Sequence, residues 1–123
     1  MFNTIKTALE TVPALKNKVI PLGLTITTVR PPVGAYSVTG PDPHRSISGK
    51  LCYYSMAFTV DILAKSFDEC QQIYASAVEA AGTIADDVDR QVLRLECNCP
   101  NMDAAVPELD LMRKRLTISI DWR

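Results

Sequence analysis

A chain of 123 residues, 47% apolar and 22% charged, has the size and composition of one globular domain, which excludes a globally disordered polypeptide. A net charge of −1 excludes the strong electrostatic pull toward nucleic acid or an anionic membrane that a basic chain exerts. No apolar run approaches the ~20 residues of a membrane-spanning helix, and the opening residues Met1 to Lys6 lack the charged start and continuous apolar core of an export signal, so the expectation is a protein of the cytoplasm or assembled from it.

Taken in chain order, residues 2–12 place Phe2, Ile5, Leu9 and Val12 on one stripe of a helix, with Lys6, Thr7 and Glu10 elsewhere on the wheel. Pro13 should end it, because proline lacks an N–H and disfavours helix at the residue before it. Residues 19–29 are dense in β-branched side chains but interrupted by Pro21 and followed by Pro31 and Pro32. They predict a short edge strand or a Pro-bounded arm near 19–32. Residues 34–39 alternate and predict a second strand. Gly40, Pro41, Asp42, Pro43, Ser46, Ser48 and Gly49 then mark a long loop near 40–50.

The strongest strand signal spans residues 51–63. Cys52, Tyr54, Met56, Phe58, Val60 and Ile62 share one side and should face the core, and the other side is mixed in character. Ser66 and Glu69 form a capping box, with Asp68 and Glu69 at the positive end of the helix that follows. Phe67, Cys70, Tyr74, Ala77, Val78 and Ala81 supply its apolar stripe, and Gly82 is placed to close it in a left-handed conformation. In residues 90–97, Leu93, Leu95 and Cys97 face one way and Val92, Arg94 and Glu96 the other. Cys99 to Pro107 shows no period. Residues 111–122 alternate again, with Met112, Leu116, Ile118, Ile120 and Trp122 on one side and Lys114 as the exception. Arg113 and Arg115 lie on the solvated side with Thr117, Ser119 and Asp121. This order predicts a single α+β domain over residues 1–123, a mostly antiparallel sheet with two main helices packed on one face.

Chemistry is sparse. The four cysteines are Cys52, Cys70, Cys97 and Cys99; the first two read as small core residues. Cys97 and Cys99 form a C-x-C pair with no matching second pair, short of the four ligands of a structural zinc site. Asp86, Asp87 and Asp89 lack the spacing and glycine of a calcium loop and read as a solvated turn. His44 is the only histidine and lies in the turn-rich segment, poorly placed as the base of a hydrolase triad. The glycines are isolated, so no phosphate loop exists. Asp61 and Glu96 sit on strands and could pair with arginines. Tyr54 and Tyr74 read as core residues, and Trp122 as a packing anchor or an interface residue. No enzyme is expected. A small metal- or ligand-binding module using Cys97, Cys99 or the aspartates at 86–89 is the alternative to a structural protein.

One succession carries a resemblance. An amphipathic helix from Phe2 to Val12 is followed by the segment bounded by Pro21 and by Pro31 and Pro32, then by a strand with Tyr36, Ser37 and Val38. A strand reading Phe58-Thr59-Val60-Asp61-Ile62-Leu63-Ala64 leads through Ser66-Phe67-Asp68-Glu69 into a helix, and the chain closes on Leu116-Thr117-Ile118-Ser119-Ile120-Asp121-Trp122. This is similar to the small tail-completion, or tail-terminator, proteins of long-tailed bacteriophages and prophages, a group related to head-to-tail connector components. The likeness covers nearly the whole chain as an order of elements; Cys97 and Cys99 stand outside it. It implies a structural virion component, assembled in the bacterial cytoplasm as a homo-oligomeric ring. Its partners would be tail-tube and head-connector proteins, with no cofactor, no metal, no catalytic residue, no sequence-specific nucleic-acid binding and no membrane.

Overall fold

The computed structural model describes residues 1–22, 31–84, 91–98 and 111–123, and the backbone of 104–106. In chain order they form α1 (Phe2–Glu10), a 3-10 turn (Pro13–Leu15), β1 (Val19–Pro21), β2 (Val33–Arg45), β3 (Leu51–Ala64), α2 (Phe67–Gly82), β4 (Val92–Asn98), β5 (Ala104–Val106) and β6 (Leu111–Trp122). The architecture is α+β. The sheet runs β1-β2-β3-β6-β4, with β5 also paired to β6. Every pairing is antiparallel except the short β1–β2 ladder, which is parallel.

The alternation along β3 and β6 becomes the core. Phe58, Val60 and Ile62 of β3 and Leu116, Ile118 and Ile120 of β6 are fully buried, and both helices pack on this one face through Ile5, Leu9, Cys70, Ile73, Ala77 and Ala81. Phe2, Tyr36 and Phe58 form an aromatic group, with ring centroids 5.3 Å apart for Phe2–Tyr36 and 5.3 Å for Tyr36–Phe58. Pro13 acts as its chemistry requires: α1 stops at Glu10, and Val12 adopts an extended φ of −68° and ψ of 121°. At the start of α2 the Ser66 hydroxyl accepts a hydrogen bond from the Glu69 N–H at 3.2 Å.

Several expectations are corrected. Residues 40–45 are not loop. β2 continues to Arg45, and only residues 46–50 turn the chain into β3. The turn-forming residues are absorbed by a bulge: the register shifts between Thr39 and Asp42, where Gly40 takes a φ of 100° and Pro41 has no N–H to give a ladder. Cys52 is exposed rather than core, because the pairing with β6 ends at Tyr54 and Cys52 lies beyond it. Phe67 is 47% exposed in the first turn of α2, and Ile73 holds the buried position instead. Gly82 is not left-handed: α2 runs through it and ends on Thr83 in a right-handed conformation, whose hydroxyl donates to the Ala80 carbonyl at 2.8 Å.

β4 carries another correction. A bulge between Val92 and Arg94 returns Val92 to the core side with Leu95 and Cys97, and leaves Leu93 42% exposed. β5 lies in the stretch without period and pairs Ala104 with Arg113 and Val106 with Leu111. The arm expected near 19–32 falls largely outside the described residues; Val19 to Pro21 form an edge strand as anticipated. Lys114, the exception in β6, reaches over the Tyr74 ring at 4.8 Å, so its stem covers the core margin while its charge meets an aromatic face.

Candidate functional site

With both helices on one face, the opposite face of the sheet has two zones. At one end Ile20, Val33, Ala35, Leu63 and Leu111 form a small apolar cluster. Beyond it the face is polar. Asp61 is the single buried charged residue among the described ones, 6% exposed. Arg115, its direct cross-strand neighbour, grips it with Nε on Oδ1 at 2.7 Å and Nη2 on Oδ2 at 3.2 Å. The Asp61 carboxylate, through these hydrogen bonds and its charge, holds the Arg115 guanidinium above the ordinary arginine range. Two rungs along, the Thr59 and Thr117 hydroxyls lie 3.4 Å apart. At the β4 edge, Arg94 donates from Nε to Asp121 at 2.9 Å and from Nη1 to Glu96 at 2.9 Å, a solvated triad. Asp61 and Glu96 thus each pair with an arginine, as their placement on strands suggested.

A hollow of about 170 Å³ opens on this face between Thr39, Asp42, Ser55, Ala57, Arg94 and Ser119. Beside it the His44 Nε2 and Ser55 Oγ are 2.6 Å apart, a spacing that a base and a nucleophile would have. Among the described residues, however, nothing hydrogen-bonds the other nitrogen of His44 to orient it, and the pair is exposed. His44 instead stacks on Tyr53 with ring centroids 4.4 Å apart. Ring and hydroxyl together clamp the stem of the β2–β3 hairpin.

Among the described residues that hairpin is the most exposed feature. Every described residue from Thr39 to Cys52 is exposed, since β6 pairs with β3 only from Tyr54 onward. At its tip Ile47 is fully exposed, flanked by Arg45 and Lys50, and Arg45 donates to the Gly49 carbonyl at 3.2 Å across the turn. Trp122 is 3% exposed and stacks on Tyr54 at 5.7 Å, so it anchors the hairpin base rather than offering an interface.

Of the cysteines, Cys70 is buried on the sheet-facing side of α2 and donates weakly to the Met112 carbonyl at 3.2 Å. Cys97 is half-buried on β4, and burial pushes its thiol above the ordinary range. Cys99 and the aspartates Asp86, Asp87 and Asp89 lie outside the described residues. Among the described residues, no group of three histidine, cysteine or carboxylate side chains could hold a metal ion, and no helix is long and apolar enough to cross a membrane. The cross-strand ion pairs had no sequence signal beyond opposite charges on two strands, because Arg115 and Asp61 are 54 residues apart. No protein-family model matches the chain, and no curated protein matches its sequence.

Proposed function

We propose that the chain is a structural subunit of a phage or prophage tail, a homo-oligomeric ring component that terminates the tail tube or joins it to the head connector. The observation that carries this reading is the division of the molecule into a helix-backed sheet and a projecting, wholly exposed hairpin with an aliphatic tip. A lone globule gains nothing from holding such an arm in water, whereas a subunit that meets its siblings does. Ring closure needs a heterologous contact, in which one surface of each copy meets a different surface of the next, and the hairpin and the helical layer are two such different surfaces. Three acids of the open sheet face are paired with arginines: Asp61 with Arg115, and Asp121 and Glu96 with Arg94. This is the economy of a surface built to be stable rather than to react, and the reading is accordingly not an enzyme. The particle would be assembled in the bacterial cytoplasm, with tail-tube and head-connector proteins as partners.

Native mass spectrometry of the full chain tests the first half of the proposal, and co-purification with the tail-tube protein of the same genome tests the second. Discrete multimers that bind tube ends are expected. A strict monomer at the highest attainable concentration, indifferent to tail components, would sink it. The metal-binding alternative through Cys97, Cys99 or Asp86, Asp87 and Asp89 predicts stoichiometric metal by elemental analysis of the purified chain.

A further inference from the structure

Resting on the oligomeric reading above, we infer that the hairpin tip of one copy docks into a groove on the helical layer of a second copy. The groove lies between the end of α1 and the last turns of α2. It has a volume of about 270 Å³; Val12, Pro13 and Ala80 give it an apolar floor, and Thr11, Ser76, Glu79 and Thr83 a polar rim. It is open and has room for an isoleucine side chain with space to spare. The donor is Ile47, which is fully exposed in its own chain.

Charge favours the same pairing. Ile47 stands between Arg45 and Lys50, with Arg123 beside the hairpin base. α2 contains no lysine or arginine; Glu79 is its acid at the groove, and Asp68 and Glu69 stand at its far, N-terminal end. A basic knob thus meets a groove whose charged lining residue, among the described ones, is Glu79, an arrangement that favours this encounter over a tip-to-tip one. The knob is also stiff before it binds. The His44–Tyr53 stack, the His44–Ser55 hydrogen bond and the Arg45–Gly49 bond across the turn fix the stem, so docking orders little. Knob and groove are different surfaces, and the contact is therefore head-to-tail, able to propagate around a closed ring.

The test is sedimentation velocity on the full chain and four variants: Ile47→Asp, Glu79→Arg, Arg45→Glu with Lys50→Glu, and the combination of the last two sets. All the changed side chains are on the surface, and unchanged circular dichroism and melting temperature confirm folding. The wild type should sediment as an oligomer. Ile47→Asp and each charge reversal should weaken association by about tenfold or more, as loss of an interface anchor does, and the combined reversal should recover most of the loss. An oligomer indifferent to Ile47→Asp, or charge reversals that weaken association without mutual rescue, would overturn this contact and leave the ring reading standing. A monomeric wild type would overturn both.

Discussion

Arg115 and Asp61 face each other across β6 and β3 as a two-pronged ion pair in which the carboxylate is buried and the guanidinium is about one third exposed. This asymmetry sets what each removal costs. Arg115→Met strands a buried carboxylate and should destabilise the fold by about 2–3 kcal/mol, between the values for buried and surface pairs. Asp61→Asn leaves an arginine that water can still reach and should cost about 1 kcal/mol. The Arg115 shift is upward, so the stability linked to its proton is complete below the ordinary arginine range and is lost as pH rises through the still higher folded value. Urea unfolding of both variants and of the double variant measures the two costs and their coupling. Equal costs would mean that the burial of Asp61 does not govern the pair.

Three glycines separate backbone strain from steric fit. Gly40 has a φ of 100°, and a Cβ there would lie 2.8 Å from the Ser55 carbonyl oxygen, which is backbone and cannot swing away. Gly49 has a φ of 85° with open space around it, and Gly82 is helical with open space. Gly40→Ala should therefore be the most damaging, at about 2 kcal/mol or more from strain plus clash. Gly49→Ala should cost about 1 kcal/mol from the dihedral alone, and Gly82→Ala should stabilise by about 0.5–1 kcal/mol through helix propensity. Thermal melts of the three variants rank them. If Gly40→Ala is neutral, the bulge is not the device that carries β2 through residues 40–45.

What could be read from the chain depended on how local the cause was. The alternation of Met56 to Ile62 and of Leu116 to Trp122, the stop at Pro13 and the cap at Ser66 are local, and each appears where the residues place it. Residues 40–45 misled because Gly40, Pro41 and Pro43 carry turn chemistry wherever they stand, while a long partner strand can absorb them in one bulge. A single bulge likewise reversed the facing of Val92, since a one-residue slip moves a side chain to the other side of a strand. Phe67 and Ile73 exchanged roles because helix docking angle, not hydrophobicity, decides which side of the stripe is covered. The Asp61–Arg115 fork and the projection of the hairpin depend on where β6 begins and ends beside β3, a non-local fact that no window of sequence contains.

Phe58 offers the plainest test of the core. Its side chain is fully buried and packs against Phe2 at 5.8 Å and Tyr36 at 5.3 Å between ring centroids, so it joins α1 to β2 and β3. Phe58→Ala should cost about 3–5 kcal/mol from lost burial and the cavity left behind. Phe58→Leu, which keeps most of the volume, should cost under about 1.5 kcal/mol. Near-equal urea midpoints for the two variants would show that α1 collapses into the space and that its docking is loose.

Cysteine chemistry distinguishes three environments in one molecule. Cys52, exposed on the hairpin, should be alkylated within the native state, Cys97 more slowly, and Cys70 only on unfolding; peptide mapping after timed labelling reads the order site by site. Burial raises the Cys97 thiol, so the folded chain keeps that proton where the unfolded chain has lost it. Stability from this source is complete below the ordinary thiol range and falls as pH rises above it toward the folded value. The alkaline drop in urea midpoint should therefore be smaller in Cys97→Val than in the wild type, because the variant has no thiol to ionise on unfolding. A Cys97→Val curve parallel to the wild type, or Cys97 labelled as fast as Cys52, would show that β4 lifts away from β6 in solution and that the thiol is not held under the sheet edge.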